Sequence, residues 1–347
     1  MDRRDVTVRV GVIGAGIMGA DHVRTVQRFV SGARVTMIAD IDLDRAKEAA
    51  QAAPEALTTR DWREVIASGD VDAVIVASHD STHAEVTIAS VAAAKPVLCE
   101  KPLAPTGADC ASVVRAEDEV LGAGAVMPLV SVGFMRRSDP GYQEMKAAIA
   151  DGICGTPLMI HCFSRGVSFP GATTEFSVTN SAVHEFDIVP WLLGQPVVSV
   201  SWHAPRVSAA SSGQQDPQLM LLHTADGVLT TVESLLNAGY GYDIRCEVVG
   251  DRGTVALSHG GHVVIDSERT SAWSYPADWR ARFADAYRLE LQEWIDAIQE
   301  GRAPTLASAR DGLAAGIISD AVIASMKGGG RTVPIPASAD PASRDDG

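Results

Sequence analysis

Between Val6 and about Leu121, short runs of β-branched and other apolar residues alternate with longer stretches in which apolar positions return every three or four residues. The runs Val8–Ile13, Arg34–Ala39, Ala73–Ala77 and Pro96–Cys99 predict strands. Ile17–Val30, Leu43–Ala52, His83–Ala94 and, behind the capping Thr106, Ala108–Leu121 predict helices. Strands joined through helices run parallel, because a tight turn cannot reverse the chain between parallel neighbours. After Ala125 the pattern changes to longer β-like stretches at Leu158–Phe163, Val197–Trp202, Gly227–Val232, Ile244–Val249 and Thr254–Leu257. Turn signals such as Ala225-Asp226-Gly227 and Asp251-Arg252-Gly253 separate several of them, which predicts a mostly antiparallel open sheet with helices on one face. Domains are therefore expected at 1–125 and 126–335, with a disordered tail at 336–347 rich in Ala, Ser, Asp and Pro. No internal repeat is visible.

The 347 residues exceed what one core usually sustains, in keeping with two domains. A formal charge of −15 argues against nucleic acid or an anionic membrane as partner, since both need concentrated basic surface. Five scattered cysteines without a CxxC pair suggest neither a disulfide framework nor a metal site, and point to a reducing cytoplasm. The charged start Met1-Asp2-Arg3-Arg4-Asp5 does not read as a secretion signal. The longest apolar window, Ala123 to Phe134, is too short for a membrane span and carries Pro128.

The first strand runs directly into Gly14-Ala15-Gly16-Ile17-Met18-Gly19, and a helix follows. In this context Gly14 permits the tight turn, Gly16 lets the backbone approach a pyrophosphate, and Gly19 allows close helix–strand packing. The N–H groups and dipole of the new helix, from Ile17 and Met18 onward, then suit phosphate. Asp40 ends the second strand about 20 residues beyond Gly19, where a carboxylate accepts from ribose hydroxyls and repels a 2′-phosphate. The expected cofactor is therefore NAD in preference to NADP. Asp40 as a mere helix cap is the alternative. The fold class expected is α/β: an N-terminal Rossmann doubly wound parallel sheet plus a C-terminal α+β domain with a large, mostly antiparallel open sheet.

Two further segments carry chemistry. Glu100-Lys101-Pro102 follows the fourth predicted strand, at the carboxyl edge of the sheet where ligands bind in open α/β folds. The segment Asn180–Gly194 reads as a helix capped by Asn180 and stopped by Gly194, with Asn180, His184 and Asp187 on one face. Pro190 is expected to kink it or break its hydrogen bonding. Taken alone, His184 could equally be a core histidine.

Together the glycine loop, Glu100-Lys101-Pro102 and the histidine helix resemble the glucose-fructose oxidoreductase/inositol dehydrogenase/rhizopine-catabolism family, across the chain to about residue 330. Val132–Arg137, Pro157–Cys162, Val183–Asp187, Gly239–Gly250 and Asp278–Phe283 look like its inositol 2-dehydrogenase branch. The resemblance implies that Lys101 and His184 face the nicotinamide across the substrate, with Asp187 nearby and Arg136, Ser164 and Tyr240 lining a polyol pocket. It also implies that Ser78, His79, His83 and Glu100 lie at the cofactor, that no metal takes part, and that the protein is a homotetramer.

In that branch the residue four before the histidine is usually Asp, whereas this chain has Asn180. After His161-Cys162 the usual His-Arg-Asn is here Ser164-Arg165-Gly166. The activity expected is NAD-dependent oxidation of a cyclitol ring hydroxyl, with His184 as base, Lys101 stabilising the oxygen and Asn180 orienting the imidazole. A preference for another sugar or an aminocyclitol, or a catalytically weak NAD-binding sensor, are the alternatives.

Overall fold

A computed structural model describes residues 7–122, 127–169, 171–211, 213–258 and 263–336. The charged N-terminal residues up to Asp5, the expected domain boundary at 125/126 and the expected tail beyond Ala337 lie outside the described residues.

The chain forms two compact units, the first running through Ser138 and taking in Asp285–Gly316, the second holding Asp139–Ala284 and the chain from Ile317. The first unit opens with β1 (Val8–Ile13), α1 (Ile17–Phe29), β2 (Ala33–Ala39), α2 (Leu43–Ala50), β3 (Leu57–Thr59), α3 (Trp62–Ala67) and β4 (Ala73–Val76). It continues with α4 (His83–Ala92), β5 (Val97–Glu100), α5 (Gly107–Leu121) and β6 (Val130–Gly133). Their order in the sheet is β6-β5-β4-β1-β2-β3, all parallel. The strand order reverses beside β1, which puts a ligand crevice at the carboxyl ends of β1 and β4.

β6 adds a strand to the first sheet. Val130–Gly133 pairs in register with Val97–Glu100, so the segment after residue 126 extends the first sheet and does not begin the second. The run Leu57–Thr59 carries too few residues for periodicity to mark it. Thr106 does cap α5, accepting from the Asp109 N–H.

The second unit contains α6 (Pro140–Ala150), β7 (Pro157–Arg165), the single turn α7 (Thr174–Phe176), α8 (Val183–Leu193), β8 (Val197–His203), β9 (Gln218–Thr224), β10 (Leu229–Leu235), β11 (Asp243–Gly250) and β12 (Thr254–Ala256). A separate hairpin, β13 (Ile265–Ser267) and β14 (Thr270–Ala272), precedes the turn α9 (Trp279–Arg282). The chain then supplies α10 (Ala284–Glu300) and β15 (Ala307–Ser308), which pairs antiparallel with β6, before α11 (Ala309–Lys327) and β16 (Val333–Pro334). The second sheet has the order β12-β11-β7-β10-β9-β8-β16, antiparallel except for β7 beside β10. β10 starts two residues later than expected, because Gly227 takes a positive φ of 86° and its N–H closes a turn on the Thr224 carbonyl.

Each unit has its own core. In the first, Val10, Val12, Ile38, Ile75 and Leu98 of the sheet are buried against Val23 and Val26 of α1 and Leu291, Trp294 and Ile295 of α10. Along β7 burial alternates: Ile160, Cys162 and Ser164 are buried while Met159, His161, Phe163 and Arg165 are half-buried, so one face of the second sheet is closed and the other is partly open. All five cysteines are buried thiols. Among the described residues no helix is long and apolar enough to cross a membrane, and no group of three His, Cys, Asp or Glu could hold a metal.

Candidate active site

In the first unit the glycine loop joins β1 to α1. The Gly14 N–H donates to the Ala39 carbonyl at 2.8 Å, fastening the loop to β2. Gly14 has φ +93°, and a Cβ there would lie 2.4 Å from the Ala77 backbone; a Cβ on Gly19 would lie 1.8 Å from the Gly14 carbonyl oxygen. Both glycines are therefore demanded by the protein's own packing. Gly16 differs, because a Cβ there would meet nothing within 4 Å. That open side is what a pyrophosphate approaching the backbone requires. Gly16 is also the N-cap of α1 and brings no capping side chain, which leaves the positive end of the helix, at Ile17 and Met18, to be matched by an anion.

Asp40 follows β2, and its Oδ2 accepts the Ala15 N–H at 2.7 Å while Oδ1 accepts the Asp42 N–H at 2.8 Å. The cap of α2 is Asp42, which accepts from the Asp44 N–H, so Asp40 is tied to the glycine loop and is not the helix cap. A carboxylate has about four acceptor positions, so Asp40 keeps capacity for two ribose hydroxyls. These residues fit NAD.

Behind the loop lie the carboxyl ends of β4 and β5. Ser78 is half-buried, its hydroxyl 2.7 Å from that of Thr82, while His79 is exposed and its ring accepts the Ser81 N–H. His83 is 2% exposed. Its Nδ1 lies 2.7 Å from the Pro102 carbonyl and its Nε2 3.1 Å from the Ser78 carbonyl. Both acceptors are carbonyls, so both ring nitrogens donate only when the ring is cationic. Burial opposes that charge, but the neighbouring Cys99 and then the two carbonyls outweigh it and raise the His83 pKa to about 9. The His83 side chain, expected at the cofactor, is bound to the main chain on either side of it.

Glu100 is bound within the protein as well. It is buried, with Oε1 2.7 Å from His22 Nε2 and Oε2 accepting the Lys101 N–H at 3.2 Å. Burial alone would raise its pKa, yet the hydrogen bond from His22 and the nearby charge of Lys101 hold it below the ordinary carboxylate range. The carboxylate faces the protein interior. His22 was not singled out from the sequence. Its signal was its phase in α1, where it shares the buried stripe with Gly19, Val23 and Val26. Arg136, in the turn Met135–Ser138 after β6, is 1% exposed.

In the second unit, α8 carries His184 in its first turn, and every residue from Val183 to Val189 is buried, including Glu185 and Asp187. The helix ends where expected, at Gly194 in the left-handed region, and runs through Pro190 without interruption. Its start differs from expectation. Asn180 does not cap α8, which begins at Val183 behind Ala182; Ser177–Ser181 instead form a π-helical turn closed by the Ala182 N–H on the Ser177 carbonyl at 2.9 Å. The wider turn breaks the regular 3.6-residue spacing between Asn180 and His184. Such turns concentrate at functional sites, and residue spacing alone cannot reveal one.

Ser164 is buried at the end of β7, its hydroxyl 3.4 Å from that of Ser181 in the π-turn. Ser177 and Ser234 are joined likewise at 2.7 Å. Thus Ser164 is brought to the segment that leads into His184. Tyr240 is not. Its hydroxyl donates to Asp243 Oδ2 at 2.7 Å and accepts from Arg165, whose side chain projects from the opposite face of β7 to Ser164. Arg165 also grips both oxygens of Glu233, at 2.7 and 3.0 Å, and Arg245 grips both of Asp243. Tyr240 therefore belongs to a charged network, in which burial and then Asp243 raise its pKa.

Comparison with known proteins agrees with this architecture. Residues 8–122 match the family model for the oxidoreductase family, NAD-binding Rossmann fold, and residues 146–335 match that for its C-terminal alpha/beta domain. The chain is 52% identical over 330 residues to inositol 2-dehydrogenase 2 of Paenarthrobacter aurescens, covering 94% of this chain and 98% of that one. It is 45% identical over 327 residues to inositol 2-dehydrogenase 1 of Saccharopolyspora erythraea, covering 93% and 95%. A solved myo-inositol dehydrogenase of Lactobacillus casei, in complex with NAD(H) and myo-inositol, has a TM-score of 0.90 at 31% identity, over 96% of this chain and 98% of that one. Glycine loop, strand order, second sheet and whole-length similarity together make this chain a member of the Gfo/Idh/MocA oxidoreductase family, with an NAD-binding Rossmann domain and a C-terminal α/β domain.

Proposed function

We propose that the chain oxidises a ring hydroxyl of a cyclitol to the ketone with NAD, as an inositol 2-dehydrogenase or a close cyclitol dehydrogenase. The observation that carries this reading is the 52% identity over 94% of the chain to a protein of that name, in a chain that carries both Lys101 and His184. The first unit holds the cofactor, and the second holds the polyol and the contacts of a homotetramer. Support for assembly comes from the partly open face of the second sheet. The five buried thiols support the cytoplasm.

When bound, NAD accepts the hydride from the ring carbon. The residues supply the rest. His184 removes the hydroxyl proton, and Lys101 donates to the same oxygen as negative charge develops on it. Asp40 accepts from the adenosine ribose and excludes a 2′-phosphate. Asn180 offers an amide oxygen to the imidazole without the charge a carboxylate would add. Asp187 and Ser164 line the polyol side, and Arg136 is the residue of the first unit assigned to the substrate. Tyr240, committed to Arg165 and Asp243, supports that side through the chain it anchors.

A second reading is favoured by Ser164 and Asn180, which are smaller or less charged than their usual counterparts: the preferred substrate is another inositol stereoisomer, an aminocyclitol or a sugar. A panel of cyclitols and sugars assayed with NAD and NADP decides. Efficient turnover of myo-inositol alone supports the first reading, a better alternative substrate supports the second, and NADH binding without turnover of any polyol would identify a sensor and refute both.

A further inference from the structure

We propose that His22 is a positioning residue for Lys101, acting through Glu100; this rests on the role given to Lys101 above. The three residues form one chain of contacts inside the first unit. His22, 1% exposed on the core stripe of α1, places Nε2 2.7 Å from Glu100 Oε1. The other oxygen of Glu100 accepts the main-chain N–H of Lys101 at 3.2 Å. Both side chains are packed on their other sides as well. A Cβ added to Gly133, its partner on β6, would stand 3.4 Å from Glu100 Cα, Cδ and Oε2, and the ring of Tyr287 meets the His22 ring edge-on at 6.0 Å.

A buried histidine–carboxylate pair is a poor device for stability alone. Desolvating both groups consumes most of what their attraction returns, and apolar side chains of the same bulk often do as well. The pair makes sense through what it holds. Lys101 is the first residue beyond β5, where the sheet no longer dictates the backbone, and the carboxylate fixes its N–H on one side. On the other side His83 holds the Pro102 carbonyl at 2.7 Å. The main chain of Lys101 is thus fastened before and after, so that its ammonium departs from a fixed root. A misplacement of about 1 Å at a reacting group can cost on the order of a hundredfold in rate.

The test uses the full-length protein, the cyclitol it turns over best, and NAD. His22→Phe keeps the ring's bulk and loses the donor; His22→Gln keeps an N–H near the position of Nε2. We expect His22→Phe to lower kcat by about tenfold to a hundredfold, with KM for the cyclitol and Kd for NADH within about threefold, and His22→Gln to recover most of kcat. In a Lys101→Met background the same His22→Phe exchange should cost no more than about twofold. Should His22→Phe fail to fold, Glu100→Gln, which keeps the shape and weakens both bonds, should lower kcat and not KM. The proposal is overturned if His22→Phe lowers only thermal stability, or if its effect on kcat persists undiminished without Lys101. A wild-type rate for Lys101→Met itself would instead remove Lys101 from the reaction, a separate failure that takes the proposal with it.

Discussion

The two units present their functional residues by different means. In the first, position along the chain and position in space coincide: Gly14, Gly16 and Gly19 sit in one turn, and Asp40 reaches that turn directly by accepting the Ala15 N–H at 2.7 Å. In the second, the candidate residues come from separated strands and from a distorted helix start. Ser164 meets Ser181 across 17 residues of chain, and the turn before His184 is π-helical. Local backbone chemistry binds a phosphate in almost any such loop. On the second sheet one position decides which face a side chain takes, as Ser164, beside Ser181, and Arg165, bound to Glu233, show.

The sharpest way to test this division is to remove one reacting group from each unit. Lys101→Met and His184→Ala should each reduce kcat by about 10²–10⁴-fold while NADH still binds, measured by steady-state kinetics and fluorescence titration. If NADH binding collapsed with His184→Ala, the assignment of cofactor and polyol to different units would break. Next in size is Asp40→Ser, expected to weaken NAD by about tenfold and raise the relative use of NADP, with the polyol KM little changed. A rise in polyol KM with unchanged cofactor preference would contradict the role of Asp40.

Asn180→Asp addresses the second unit with a smaller effect. A carboxylate beside the imidazole favours its charged form, so the acid limb of the pH–rate profile should move to higher pH. An unmoved profile would separate Asn180 from His184, as the π-turn between them allows. The smallest effect belongs to His83. Its folded pKa of about 9 lies above its unfolded value, so the stabilisation it brings is complete below about 6.5 and is lost as pH rises through 9. Thermal unfolding across pH 6 to 10 should show a decline that His83→Gln abolishes, in chemical denaturation or calorimetry alike. A slope that survives the exchange would assign the decline to other groups.

Much of the first unit was legible in the sequence because period and composition act locally. β1 falls on Val8–Ile13 as read, and Thr106 caps α5 through the Asp109 N–H. The illegible parts share one cause, that a partner distant in sequence decides them. β6 was hidden because Val130–Gly133 becomes a strand only by pairing with Val97–Glu100. Glu100 pairs with His22, 78 residues away, a partner that no local pattern announces. Tyr240 looked like a pocket residue until Arg165 and Asp243 claimed its hydroxyl. Asn180 looked like a cap because a π-turn leaves no mark in residue spacing.

The central claim is that a cyclitol hydroxyl is oxidised with NAD by a chain whose first unit selects the cofactor and whose second selects the polyol. The most direct measurement is kcat/KM for a panel of inositol stereoisomers, aminocyclitols and sugars with NAD and with NADP, with the ketone identified as product. The account predicts turnover of at least one cyclitol with NAD, at a rate well above that with NADP. NADH binding with no polyol oxidised, or equal rates with both cofactors, would contradict it.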